Sequence, residues 1–272
     1  MTQRRSFDKN YLQREFDRLD AKTKQRLSLF LIGGGAMAFY DLKDATKDID
    51  VILANEDSFD DLKTNLEITG YKEPKSILIT RPHNDIQTSA ILENRDGFRW
   101  DLFIRKVCNT LTLSTEMQQR ASQLYTDKHL TILVASREDI FLFKGITTRD
   151  ADLSDMRILA ESGLDWNIIN RECRKQSESS KVSWEYALHQ KLLKLKARYN
   201  IQSPIEKSLE IAAERRIVET MLITQLQRGN NTVKSIAQQI ARARLKHALL
   251  IEFFDHVDWI KSQIKKRGIL FD

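Results

Sequence analysis

The stretch LFLIGGGAMAFYDLKDATKDIDVIL, residues 29–53, constrains the fold more than any other part of the chain. A short apolar run ends in Gly33, Gly34 and Gly35, a small helix-compatible segment follows, and a second apolar run opens on Asp48-Ile49-Asp50. Side chains on a strand alternate, so Asp48 and Asp50 point to one face. Two like charges held together call for a cation. Glycines expose backbone N–H groups without obstruction, which suits a phosphate. Carboxylates for a metal beside bare backbone for a phosphate imply a nucleotide site.

Around this stretch the spacing predicts alternating helices and strands. Ser6 to about Arg26 reads as an amphipathic helix with Ser6 as N-cap, from Phe7, Tyr11, Leu12, Phe16 and Leu19. Leu29–Ile32 is a short buried strand, Ala36 to about Leu42 a helix behind the glycine turn, and Asp48–Leu53 a second strand. Asp57 to about Leu66 is a further helix. Ser76–Thr80, Ile86–Leu92 and Phe98–Lys106 read as strands, with Asn94-Arg95-Asp96-Gly97 a hairpin connection. In the last of them Asp101 shares a face with Arg99, Phe103 and Arg105. That face is either solvated or brings a third acid to Asp48 and Asp50.

Leu113 to about Leu124 reads as helix and Leu130–Ala135 as strand. Ser136 to Asp139 then forms a capping box that opens a helix carrying Lys144. Thr148 to about Ser162 is helical, with Arg149, Asp150, Asp152 and Asp155 near its start. From Asp165 onward every segment has helical periodicity: Ile168–Gln176, Val182–Tyr199, Pro204–Gln227 and Ala241–Lys266. The fold class expected is α+β, a mixed-sheet core with helices followed by an all-α C-terminal domain. The Ser177–Ser180 cluster sets the boundary, giving domains 1–176 and 177–272.

Charge follows the same division. The chain carries 44 Lys/Arg and 38 Asp/Glu, a net charge of +6. From Arg171 on there are 20 basic and 11 acidic residues; before it there are 24 and 27. The positive excess lies wholly in the C-terminal part, which is either a face for nucleic acid or a solvated Lys/Arg-rich helical surface. Thr232–Ile240 has the character of the first helix of a helix-turn-helix unit, but the segment after it lacks a turn glycine. Hydrophobic residues at 41% and charged residues at 30% exclude a disordered chain. Cys108 and Cys173 have no metal-ligand spacing, which fits a reduced cytoplasmic compartment. The five histidines form no ligand pattern either. The N-terminus lacks a signal peptide's apolar core, and no apolar run reaches the ~18 residues that cross a membrane, so no membrane partner is expected.

The ordered set of a Gly-Gly-Gly-Ala-Met turn after a strand, Asp48-x-Asp50 opening the next, and a later strand acid resembles the DNA polymerase β nucleotidyltransferase superfamily. It is most similar to the AbiEii-type and related minimal prokaryotic members. The likeness covers roughly Leu29 to Trp166, so residues 1–176 are expected to form a nucleotidyltransferase-like domain and residues 177–272 a basic helical one. It implies that Asp48, Asp50 and Asp101 are catalytic and hold Mg²⁺, with two ions expected. Gly33, Gly34 and Gly35 would hold the triphosphate of an NTP substrate, without the Ser common in such turns. Lys144–Met156 resembles the later signature of the same group. There Lys144 and Arg149 would bind the nucleotide, and Asp152 and Asp155 would be orienting acids.

The activity implied is transfer of an NMP from an NTP to a hydroxyl acceptor, either an RNA 3′ end such as tRNA or a protein side chain. The likeness also implies a toxin of a toxin–antitoxin or phage-defence system, with a cognate antitoxin as partner. A different class of reading is a non-catalytic nucleic-acid-binding regulatory protein on a degenerate nucleotidyltransferase fold. A third is a helical partner-binding protein that meets its antitoxin through the C-terminal face.

Overall fold

The computed structural model describes residues 4–74, 88–107, 111–147, 149–180 and 182–227. The expected strand at Ser76–Thr80, the helix-turn-helix segment Thr232–Ile240 and the helix Ala241–Lys266 lie outside the described residues.

Residues Phe7–Asp8 form the short strand β1, followed by α1 (Lys9–Asp20), β2 (Leu27–Ile32), α2 (Gly33–Phe39), β3 (Ala45–Thr46), β4 (Asp48–Leu53) and α3 (Glu56–Ile68). Next come β5 (Ala90–Glu93), β6 (Arg99–Ile104), β7 (Lys106–Val107), β8 (Leu111–Thr112), α4 (Thr115–Arg120), β9 (Ser122–Thr126) and β10 (Leu130–Val134). Five helices end the described chain: α5 (Arg137–Gly145), α6 (Asp152–Glu161), α7 (Trp166–Glu178), α8 (Trp184–Tyr199) and α9 (Glu206–Gln227).

Six strands make one mixed sheet in the order β5-β6-β4-β2-β10-β9. The β4/β6 and β2/β10 pairs are parallel, and β2/β4, β5/β6 and β9/β10 are antiparallel. The central strands are apolar at nearly every position because both of their faces are covered. Leu29, Leu31, Ile49, Val51, Ile52, Leu53, Trp100, Leu102 and Ile132 are all buried. Helices α1, α2 and α3 pack on this sheet. Phe16 of α1 lies against Trp100, Tyr125 and Phe39, with ring centroids 5.8–6.1 Å apart. The α+β class with a mixed sheet and helical C-terminal region is the one expected.

Several boundaries move for identifiable reasons. The first helix starts at Lys9, because Phe7–Asp8 is extended against Ala45–Thr46 and Asp8, rather than Ser6, caps the Tyr11 N–H at 2.8 Å. The expected helix over 113–124 is only six residues long, and the chain then extends into β9 against β10. Asp152 rather than Thr148 opens α6. The cap at Ser136 forms as expected, its hydroxyl accepting from the Asp139 N–H and donating to the Asp139 carboxylate.

Helix α5 is buried along most of its length and packs against α2, α6, α7 and α8. A Cβ on Gly145 would stand 2.6 Å from Leu188 Cδ1, so the glycine lets α8 approach closely. Leu188, Leu192 and Leu195 of α8 share one buried cluster with Phe141 and Leu159. At the serine cluster, Ser177 Oγ accepts from the Trp184 N–H at 2.9 Å and donates to the buried Glu185 carboxylate, which ties α7 to α8. Among the described residues no helix is long and apolar enough to cross a membrane.

Candidate functional site

Strand register brings the acids together. Asp50 of β4 pairs with Asp101 of β6 across a parallel ladder, and Asp48 lies two residues back along β4. Paired residues on neighbouring strands, about 4.8 Å apart, point to the same face. Asp101 is only 3% exposed, so its carboxylate is shielded from solvent. Burial, and then the charge of Asp48, pushes the Asp50 carboxyl up to about 7, while Arg149 and Lys144 pull it back. Burial followed by Asp50 and Asp48 raises Asp101 well above the usual carboxylate range. Each acid therefore opposes ionisation of the next, the behaviour of carboxylates facing one another.

One cation already answers part of this charge. Arg4 donates from Nη1 to Asp48 Oδ2 at 3.3 Å and from Nη2 to the Lys47 carbonyl at 2.9 Å. Among the described residues no three His, Cys, Asp or Glu side chains stand gathered around one ion position. Like charges repel, and Asp48 is turned toward Arg4. The donor set is nonetheless all hard carboxylate oxygen, the chemistry that fits Mg²⁺ rather than a softer metal.

The glycines serve three different needs. Gly33 has φ +65°, and a Cβ there would lie 1.9 Å from Asp50 Oδ2, so the carboxylate rests against bare backbone. A Cβ on Gly34 would meet Thr46 Oγ1 at 2.8 Å and Lys43 Nζ at 3.6 Å. Gly35 faces Leu31 and Ile49 and lets α2 settle on the sheet. The three residues form the first turn of α2, not a loop ahead of a helix starting at Ala36.

A second cluster closes the other side. Lys144 Nζ lies 3.4 Å from Asp152 Oδ1 and 2.7 Å from Asp155 Oδ2. Arg149 donates to both Asp152 oxygens at 2.9 and 3.2 Å, and Thr147 Oγ1 donates to Asp152 Oδ2 at 2.5 Å. Lys43 Nζ lies 3.1 Å from both Asp155 oxygens, and Lys191 of α8 donates to the Arg149 carbonyl at 2.6 Å. Burial pushes both acids up, but Lys144 and Arg149 hold Asp152, and Lys144 and Lys43 hold Asp155, below the usual carboxylate range. Burial works against the Lys144 charge too, yet Asp155 and Asp152, with Asp50 beyond them, raise its pKa. The fields of Asp50 and Asp48 likewise reach Arg149. The acids of the sheet and the bases of α5 and α6 thus share one site.

Residues 11–201 match a family described as "Nucleotidyltransferase of unknown function (DUF6036)". The chain belongs to this family. The matched span takes in every site residue above except Arg4. Among solved structures, a candidate nucleotidyltransferase from H. pylori is 16% identical over 77% of this chain and 96% of its own, with a TM-score of 0.33. No curated protein matches the chain.

All ten residues singled out by sequence lie in this neighbourhood: Asp48, Asp50 and Asp101 on the sheet, Gly33–Gly35 at the start of α2, and Lys144, Arg149, Asp152 and Asp155 at α5 and α6. Sequence reasoning passed over Arg4, Lys43, Thr46, Thr147 and Lys191. Each joins the site through a contact with a residue already in it, and only Thr147, within Lys144–Met156, stands in a motif.

Proposed function

We propose that this protein is an Mg²⁺-dependent nucleotidyltransferase that moves an NMP from an NTP to a hydroxyl acceptor. The observation that carries this reading is the Asp50–Asp101 register, with Asp48 on the same face and the bare Gly33 backbone against Asp50. Asp48, Asp50 and Asp101 would hold the metal. Bound Mg²⁺ would neutralise charge that builds on the α-phosphate and the departing pyrophosphate. The acceptor oxygen forms a bond to the α-phosphorus, the α–β anhydride bond breaks, and the hydroxyl proton passes to a carboxylate. Asp101, the third acid in the resemblance, is the residue we assign to that last role. Gly33 and Gly34 keep side chains out of the turn where Asp50, Thr46 and Lys43 gather, and the Lys144–Arg149 cluster supplies positive charge for the phosphates.

The acceptor favoured is an RNA 3′ end such as tRNA. The basic excess after Arg171 supports it, because phosphate contacts dominate nucleic-acid affinity. A protein hydroxyl is the other acceptor class. Likeness to the AbiEii-type group supports a toxin role with a cognate antitoxin.

The test is incorporation from four α-labelled NTPs with Mg²⁺ into total tRNA or lysate protein. Labelling should fall by at least about 10³-fold in an Asp48→Ala/Asp50→Ala variant that keeps the wild-type circular dichroism. Equal labelling by that variant, or none by wild type under any NTP, would overturn the assignment. The second outcome would favour a non-catalytic nucleic-acid binder.

A further inference from the structure

Lys43 lies in the loop between α2 and β3, where its ammonium stands near Gly34 and pairs with Asp155. It stands 3.6 Å from the position of a Cβ on Gly34 and 3.1 Å from each oxygen of Asp155. Asp155 also accepts from Lys144 at 2.7 Å, so one carboxylate holds two ammonium groups. The two lysines differ in freedom. Lys144 is buried and bridges Asp155 to Asp152, so turning it outward would take a buried ammonium from two acids at once. The Lys43 side chain keeps 34% of its surface exposed, and if it leaves, Lys144 still balances Asp155.

Charge leads to the same residue. Lys43, Lys144 and Arg149 set three positive charges against Asp152 and Asp155, with Lys191 turned to the Arg149 carbonyl. Lys43 supplies the surplus that faces the glycines. Without it Lys144 and Arg149 only balance Asp152 and Asp155, and the cluster offers a polyanion little attraction.

We propose that Lys43 is the ammonium that contacts the β- and γ-phosphates of the nucleotide, with Asp155 holding it beside Gly34 and Lys144 holding Asp155. Binding exchanges one anion for another at Nζ and leaves no buried charge alone. The proposal rests on the nucleotidyltransferase reading and refines which cation touches the substrate.

Calorimetric titration of the full chain with Mg²⁺ and inorganic tripolyphosphate tests it without knowledge of the base. Lys43→Met should weaken binding by about ten- to hundredfold, the range for loss of a charged hydrogen bond. Its affinity should also depend less steeply on salt than that of wild type. Lys43→Arg should recover most of the loss, and Lys63→Met, which removes a surface charge paired with Glu73, should bind as wild type does. Wild-type affinity in Lys43→Met overturns the role of Lys43 and leaves the nucleotide reading standing. So does a loss that Lys43→Arg fails to restore and that leaves the salt dependence unchanged, since that pattern is structural. Absence of tripolyphosphate binding by wild type overturns both.

Discussion

Gly33 combines a left-handed backbone with a contact no side chain could share. At φ +65° an L-residue is strained by roughly 1–2 kcal/mol, and the clash with Asp50 adds to this. Gly33→Ala should therefore lower stability by at least about 1 kcal/mol in urea unfolding and reduce nucleotidyl transfer more than that loss explains, because Asp50 must move. Asp50 itself gives a pH signature. Its folded carboxyl titrates at about 7, against an unfolded value of about 3.9. A raised carboxyl favours the fold fully below about pH 4 and loses that contribution as pH rises through 7. The melting temperature in a chelator should fall from about pH 4 to 7, and Asp50→Asn should make the fall shallower. Added Mg²⁺ should restore more stability at pH 8 than at pH 5, because the ion binds the ionised form. A variant with the wild-type slope would remove Asp50 from this account.

The elements around the site are held by a second, deeper charge cluster. Arg120 at the end of α4 donates to Asp139 of α5 at 2.6 and 3.2 Å and to Glu172 of α7 at 2.8 Å. Both acids are almost wholly buried. Arg120→Met would leave two shielded carboxylates, and such losses run to about 3–5 kcal/mol. The midpoint of urea unfolding should drop accordingly at pH 7 and recover partly near pH 5. Burial already raises the Asp139 carboxyl, so without its guanidinium it takes up a proton as pH falls. This cluster also explains the short α4. Leu113, Met117 and Leu124 have helical spacing, but Arg120 is drawn inward and Tyr125 packs against Phe16, so the chain must extend after Ala121. The exposed Ser122 and Gln123 give β9 no alternating signature. Its pairing with β10 answers the hydrogen-bonding demand of a sheet edge, which no local pattern displays.

At the scale of the molecule, what was legible in the sequence was local. The glycines and the Asp48-x-Asp50 pair lie within one β-α-β stretch, where spacing alone sets the face each residue occupies. Asp101 was legible only as an alternative, because alternation names the face but not what covers it. The β4/β6 register decides that. Contacts across long separations left no trace: Lys43 meets Asp155 over 112 positions, and Lys191 meets the Arg149 carbonyl over 42. The helices after Asp165 were legible as helices, yet nothing in their periodicity places Lys191 behind the site loop.

The most direct measurement takes each acid alone. In the labelled-NTP assay, Asp48→Asn, Asp50→Asn and Asp101→Asn are compared singly and as a triple variant. Groups that act as one unit lose function together, so each single change should cost nearly as much as the triple, on the order of 10³-fold or more. An Asp101→Asn variant that keeps near-wild-type labelling would contradict the joint action of Asp48, Asp50 and Asp101, and with it the proposed reading of this site.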